Sequence, residues 1–208
     1  MTPQRHKPEV KPGAAGRRDE PAVLPAGVAE AVRESVLAVG VRRTTLTDVA
    51  RRAGVSRMTL YRMVPDVEAL ILSVMTSDFA AVLSDAEARV ARRRSARARL
   101  VAMTADITRR LPDEPLFRRV IEVDPDLLLP YLTERVGPTQ RLAIEHVERV
   151  IRDGHADGSV RPGDPAVMAT ALLVAVAPFV ISARLLEDLG RYAVVDEMAA
   201  GLDGWLKP

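Results

Sequence analysis

The stretch TTLTDVARRAGVSRMTLYRMV, Thr44 to Val64, decides how the chain folds. Leu46, Val49, Ala50 and Ala53 recur at helical spacing and line one face of a two-turn helix. Thr45 stands where an N-cap is needed. Asp48 follows three residues later in capping-box spacing, with Asp in place of the usual Glu. Gly54 comes where a left-handed backbone turn is cheap only for glycine. Val55 plugs the corner and Ser56 caps a second helix. Leu60, Met63 and Val64 share that helix's inward face, which leaves Arg57, Met58, Thr59, Tyr61 and Arg62 pointing mostly outward. The pattern is helix, glycine corner, exposed second helix.

The outward residues suit nucleic acid. Arginine bonds guanine edges or phosphates, and Thr, Ser and Tyr hydroxyls donate to phosphate oxygens and set register. On this basis Thr45, Thr47, Ser56, Arg57, Met58, Thr59, Tyr61 and Arg62 are the expected DNA-contacting residues, with Met58 placed to meet a thymine methyl. A glycine turn between two short helices also occurs in proteins that never touch DNA, so the spacing alone leaves both readings open. Charge favours the first. Residues 1–65 hold 12 Lys/Arg against 6 Asp/Glu, whereas residues 66–208 hold 18 against 22. A basic front on an acidic body suits a polyanionic partner.

The rest of the chain also reads as helix. A first amphipathic helix is expected over 26–39, ending at Gly40, and a long one from Val67 into the arginines near residue 92. Further helices are expected over 95–111, 116–123 and 139–154, then along the apolar segment from Ala166 to Leu186, and near the C-terminus. No alternating strand pattern and no internal repeat occurs, so the fold class is all-α. Residues 1–24 are rich in Pro, Gly and charge and read as a disordered basic arm carrying Arg5, Lys7, Lys11, Arg17 and Arg18. The arm is either a tail with no task or a strap along phosphates. It contains no apolar run of signal-peptide type, so a cytoplasmic location is expected.

The run TTLTDVARRAGVSRMTLYRMVPDVEALI resembles the DNA-binding signature of TetR/AcrR-type repressors, over about residues 26–75. The likeness rests on Ala50, Ala53, Gly54, Val55, Ser56, Thr59, Leu60 and Tyr61. It implies a helix-turn-helix domain over 25–70 and a helical ligand-binding and dimerising body over 71–208. Three positions depart from the family pattern. Met58 stands where a small residue is usual, Val64 where Phe is usual, and Val67 where a phosphate-touching Lys is usual.

The 18 residues 166–183, AVMATALLVAVAPFVISA, are apolar all round. Such a helix must be buried all round. It is a membrane span, the monomer's centre, or a helix between two copies. Its alanines and Pro178 count against the membrane, and the resemblance implies a homodimer through about 165–188 and 193–206. The body is expected to hold an apolar effector pocket, with Met103, Ile107, Leu128, Tyr131 and Phe179 as candidate lining residues. Only seven residues are Phe, Trp or Tyr, which tilts the effector toward aliphatic molecules. Arg184 is expected to pair with Glu187, Asp188 or an acidic residue of the partner copy. Asp124 and Asp126 read as helix caps, His146 as a surface or core histidine, and RRRSARAR (92–99) as a solvated junction.

The expected function is a ligand-responsive repressor that binds palindromic operator DNA as a dimer. The alternatives are a ligand-independent repressor with a degenerate body, and a helical enzyme. Against the enzyme, the chain has no nucleophile elbow, phosphate loop or metal-ligand spacing. With no Cys and three scattered His, no cofactor or metal is expected.

Overall fold

The computed structural model describes residues 24, 25 and 27–208. The expected arm therefore lies outside the described residues, except for Leu24, which packs on the N-terminal core. The described residues form α1 (Val28–Val39), α2 (Leu46–Ala53), α3 (Arg57–Met63), α4 (Val67–Val90), α5 (Ala96–Arg110), α6 (Pro115–Val123), α7 (Leu129–Thr133), α8 (Pro138–Ala156), α9 (Pro165–Ile181), α10 (Ala183–Glu187) and α11 (Arg191–Leu206), with no strand among them. The fold class is all-α.

Local chemistry starts these helices. Oxygen caps accept the otherwise orphaned first-turn amides: Thr45 from Asp48 (3.1 Å), Ser56 from Thr59 (3.1 Å), Asp66 from Ala69 (2.7 Å), Ser95 from Ala98 (3.2 Å) and Asp164 from Ala166 (2.9 Å). The expected capping box at Thr45 is only half formed. The Asp48 carboxylate accepts from the Thr45 hydroxyl at 2.7 Å, because Asp is one methylene too short to reach back to the Thr45 amide. Gly54 ends α2 at φ +67°, and its N–H reaches the carbonyls of Ala50 and Arg51.

Two apolar cores result. Val28, Val32 and Val36 of α1 meet Leu46 and Val49 of α2, Leu60 of α3, and Leu70, Ile71, Val74 and Met75 of α4. Leu116 and Val120 of α6 close this core from the body side. The second core gathers Phe79, Leu83, Ala86 and Val90 of α4 with Leu100 and Met103 of α5, Val147, Val150 and Ile151 of α8, Met168, Ala169 and Leu172 of α9, and Leu202 and Leu206 of α11. Each fully buried Leu, Ile or Val contributes about 1.5–3 kcal/mol. Thus α4 belongs to both cores, and the residue 70/71 boundary expected from the sequence falls inside it. By length and composition α4 is also the described helix that could cross a membrane, but its apolar residues are committed to these two cores.

Polar links join the halves. Arg33 on α1 donates to Asp78 on α4 (Nε to Oδ2, 3.2 Å). Asp124, after α6, accepts from the Val41 amide at 2.8 Å and pairs with Arg42 at 3.4 Å, and Asp126 pairs with Arg42 at 2.7 Å. The reading of Asp124 and Asp126 as helix caps is corrected: neither side chain caps a helix, and both clasp the α1–α2 connection from across the chain. The apolar segment from Ala166 to Leu186 is not one helix either. It stops at Ile181 and resumes at Ala183, with Pro178 inside its last turn. The arginines 92–94 form an exposed turn, about 35 Å along α4 from the α3 end, and form no ion pair among the described residues.

Two substitutions test these joints. Gly54→Ala is expected to lower stability by about 1–2 kcal/mol, measured as a lower urea midpoint. No atom lies within 4 Å of the added methyl, so the cost is the left-handed backbone alone. Asp124→Ala strands the buried Val41 N–H and is expected to cost about 1–3 kcal/mol in the same measurement.

Candidate functional site

The corner at Gly54 sets α3 across α2 with one face in the core. Leu60 and Val64 are buried, and Met63 is partly buried. The opposite face carries Ser56, Arg57, Met58, Tyr61 and Arg62, all exposed, with Met58 at 65% and Tyr61 at 49%. Thr59 is half-buried, and its hydroxyl lies 2.8 Å from that of Ser56 within the cap. Thr45 is exposed at the start of α2, and Thr47 is half-buried in its first turn. The eight residues expected to meet DNA therefore lie on α3 and at the neighbouring start of α2.

Charge on this surface is unevenly committed. Arg51 pairs with Asp48 at 3.3 Å and Arg52 with Glu34 at 3.6 Å. The first contact, after the Thr45 hydroxyl, helps hold the Asp48 carboxyl below its ordinary range. Arg57 and Arg62 form no ion pair among the described residues. Arg57 instead leans over the Tyr61 ring, 6.0 Å from its centre. Arg43, in the turn before α2, is a further exposed arginine with no ion pair among the described residues. Sequence reasoning passed over it, although it directly precedes the Thr44–Thr45 start of the motif. Val67 packs against the N-terminal core and does not reach outward.

The body holds a partly open apolar cavity of about 190 Å³ between α4, α5, α8 and α9. This exceeds the roughly 150 Å³ at which an engineered apolar cavity takes up benzene. Met103, Ile107, Leu128 and Tyr131 line it. Phe179 does not, which corrects that expectation. Leu172, Leu173, Val176, Ala177, Val180 and Ile181 present the lining face of α9, and Phe179 stands off that arc. Phe79 and Phe117 join Tyr131 at the wall, so three of the chain's seven aromatic rings collect here, against the expectation of few stacking partners. Threonines 76, 104, 108 and 139, Gln140, Asp78 and Glu114 supply the polar lining.

His146 is a buried core histidine, 6% exposed, and does not line this cavity. Arg149 donates to its Nδ1 at 2.6 Å. Burial first, then the Arg149 charge, pushes its pKa below the ordinary value. Arg184 pairs with Glu122 of α6 at 3.6 Å, and not with the expected Glu187 or Asp188. No group of three or more potential metal ligands occurs among the described residues.

No protein-family model matches the chain. An HTH-type transcriptional regulator of Mycobacterium bovis, itself described as uncharacterized, is 34% identical over 180 residues, covering 86% of this chain and 92% of the relative. Among solved structures, the TetR-family transcriptional repressor QsdR of R. erythropolis is similar at TM-score 0.66 and 17% identity, covering 87% of this chain and 94% of that one. The regulator FadR of Bacillus subtilis, solved with stearoyl-CoA, is similar at TM-score 0.58 and 13% identity, covering 86% and 98%. A relative above 30% identity over most of both chains shows that the chain belongs to the HTH-type transcriptional regulators, and the solved neighbours show that its all-helical fold is the one seen in TetR-family structures.

Proposed function

We propose that the protein is a ligand-responsive repressor that binds palindromic operator DNA as a homodimer. The observation that carries the reading is the outer face of α3, where Arg57, Tyr61 and Arg62 stand exposed, with no carboxylate among the described residues paired with either arginine. An unpaired guanidinium on a short, rigid, protruding helix is what base edges and phosphates attract. The names of its neighbours, one a repressor and one solved with a ligand, fit this reading. Its working compartment would be the cytoplasm.

The second subunit is supported by an apolar stripe on α9. Val167 is 65% exposed and Val174 68%, with Thr170, Ala171, Ala175 and Pro178 exposed on the same face. On α11, Gly201 and Gly204 have no atom within 4 Å of a would-be Cβ, which leaves room for another backbone to approach. A continuous apolar face of this kind marks an interface, and a second copy with twofold symmetry covers it with the same surface. That pairing puts two α3 helices on one side of the duplex, about 34 Å apart.

Response to ligand follows from α4. Its first turns sit in the core beneath α3, and its middle, from Leu72 to Leu83, walls the cavity. A molecule that fits one tilt of α4 better than another changes the spacing of the two α3 helices. DNA affinity then falls by the ligand's differential affinity for the two states.

Gel-shift titration of the full chain against the DNA upstream of its own gene tests the reading. Tyr61→Ala is expected to weaken binding about tenfold on every sequence, as a lost phosphate contact does. Arg57→Ala is expected to cost about 1–3 kcal/mol and to relax preference at one base position. Indifference to both changes would put the DNA surface elsewhere. Val174→Arg is expected to give a monomer by light scattering and to weaken operator binding by about a hundredfold or more, because the second half-site contact is lost.

A further inference from the structure

The cavity has a one-sided chemistry. Its charged lining residues are Asp78 and Glu114, both carboxylates, and no Lys, Arg or His among the described residues lines it. Arg33 neutralises Asp78 from α1. Glu114 is half-buried at the start of α6, and its carboxylate forms no hydrogen bond or ion pair among the described residues.

The neutral polar groups lean the same way, because their hydrogens are largely committed within the wall. Thr76 donates to the Leu72 carbonyl at 2.8 Å. Thr139, 2.8 Å from Thr76, then donates to the Thr76 oxygen. Thr108 donates to the Thr104 carbonyl at 2.8 Å, and Gln140 to the Tyr131 carbonyl at 3.3 Å. The Thr104 and Tyr131 hydroxyls keep their hydrogens, and the rest of what is open to a guest is acceptor: carboxylate oxygens and hydroxyl lone pairs. The rings of Phe79 and Phe117 add faces that attract cations. An anionic head would enter a weakly polar space beside a free carboxylate, with few donors to replace its water.

Resting on the reading of this cavity as the effector site, we propose that its occupant is an apolar molecule with a cationic, hydrogen-donating head, and that the cavity rejects the same body bearing a carboxylate. Glu114 is the residue that discriminates, and Asp78 extends the same acidic wall. Because Asp78 also holds Arg33, a cation seated beside it competes with the link between the body and α1.

Calorimetric titration of the full chain at pH 7 with decylamine, decanol and decanoate, all below their micelle-forming concentrations, tests this. The three share a chain and differ in head charge. Decylamine is expected to bind at least about tenfold more tightly than decanoate, with decanol between them. Glu114→Gln is expected to narrow the decylamine-to-decanoate ratio, and Val176→Trp, which fills the cavity, to abolish decylamine binding. Decanoate binding as tightly as decylamine would overturn the charge selection alone, and an unchanged ratio in Glu114→Gln would overturn the role of that residue. Decylamine binding that survives Val176→Trp would show attachment elsewhere on the surface. Binding of none of the three to the unaltered chain would overturn the effector-site reading together with this one.

Discussion

Everything in this molecule depends on one helix being buried twice. Leu70, Ile71, Val74 and Met75 anchor the first half of α4 among α1, α2 and α3, while Phe79, Leu83, Ala86 and Val90 anchor the second half in the body. A helix transmits displacement because its backbone bonds are internal and its rise per residue is fixed. Neither core can shift its share of α4 without moving the other. The short helix α6 repeats the arrangement: Leu116 and Val120 enter the N-terminal core, and Phe117 touches both. The two regions are separate in sequence, but their cores share walls.

How much of this was legible in the sequence depends on distance along the chain. The helix-turn-helix could be read almost whole. Thr45, Ser56 and Gly54 act on partners within four residues, so spacing alone determines their roles. The body's helices were legible for the same reason, to within a few residues at their ends. The rotation of those helices was less so. On α9 apolar residues occupy every side, and a sequence with no polar face carries no phase. Phe179 was therefore misassigned, while Met103 and Ile107, on the more amphipathic α5, lie on the cavity. Asp124 shows the other limit. Beside a proline it looks like a cap, and its partner, the amide of Val41, lies 83 residues away.

Net charge was a coarser guide than pairing. The basic front suggested by the sequence includes Arg33, Arg42, Arg51 and Arg52, all of which are answered by carboxylates. The cations left open on the described part of the outer helix-turn-helix surface are Arg43, Arg57 and Arg62. The acidic excess of the body has a local counterpart as well, since both charged residues on the cavity wall are carboxylates. In each case an unpaired charge, Arg57 and Arg62 on one surface and Glu114 on the other, is where the proposed partner of opposite sign would sit.

The balance between cores and links explains how a small molecule could act on so large an assembly. The apolar contacts holding α4 are numerous and buried, so α4 moves as a body and does not melt. The polar links between the halves are few and partly wet: the Arg33 side chain is 31% exposed, and both partners in the Arg42–Asp126 pair are 74% exposed. Pairs so exposed contribute roughly 0–1 kcal/mol each, whereas site-to-site coupling in proteins typically amounts to about 1–3 kcal/mol. A ligand therefore need not unfold anything. On the proposed reading it has to outweigh these solvent-screened pairs and the buried Asp124–Val41 hydrogen bond, after which the rigid helix would carry the change to α3. Had these joints been packed with leucine, the proposed coupling of the cavity to α3 would have no weak joint to act on.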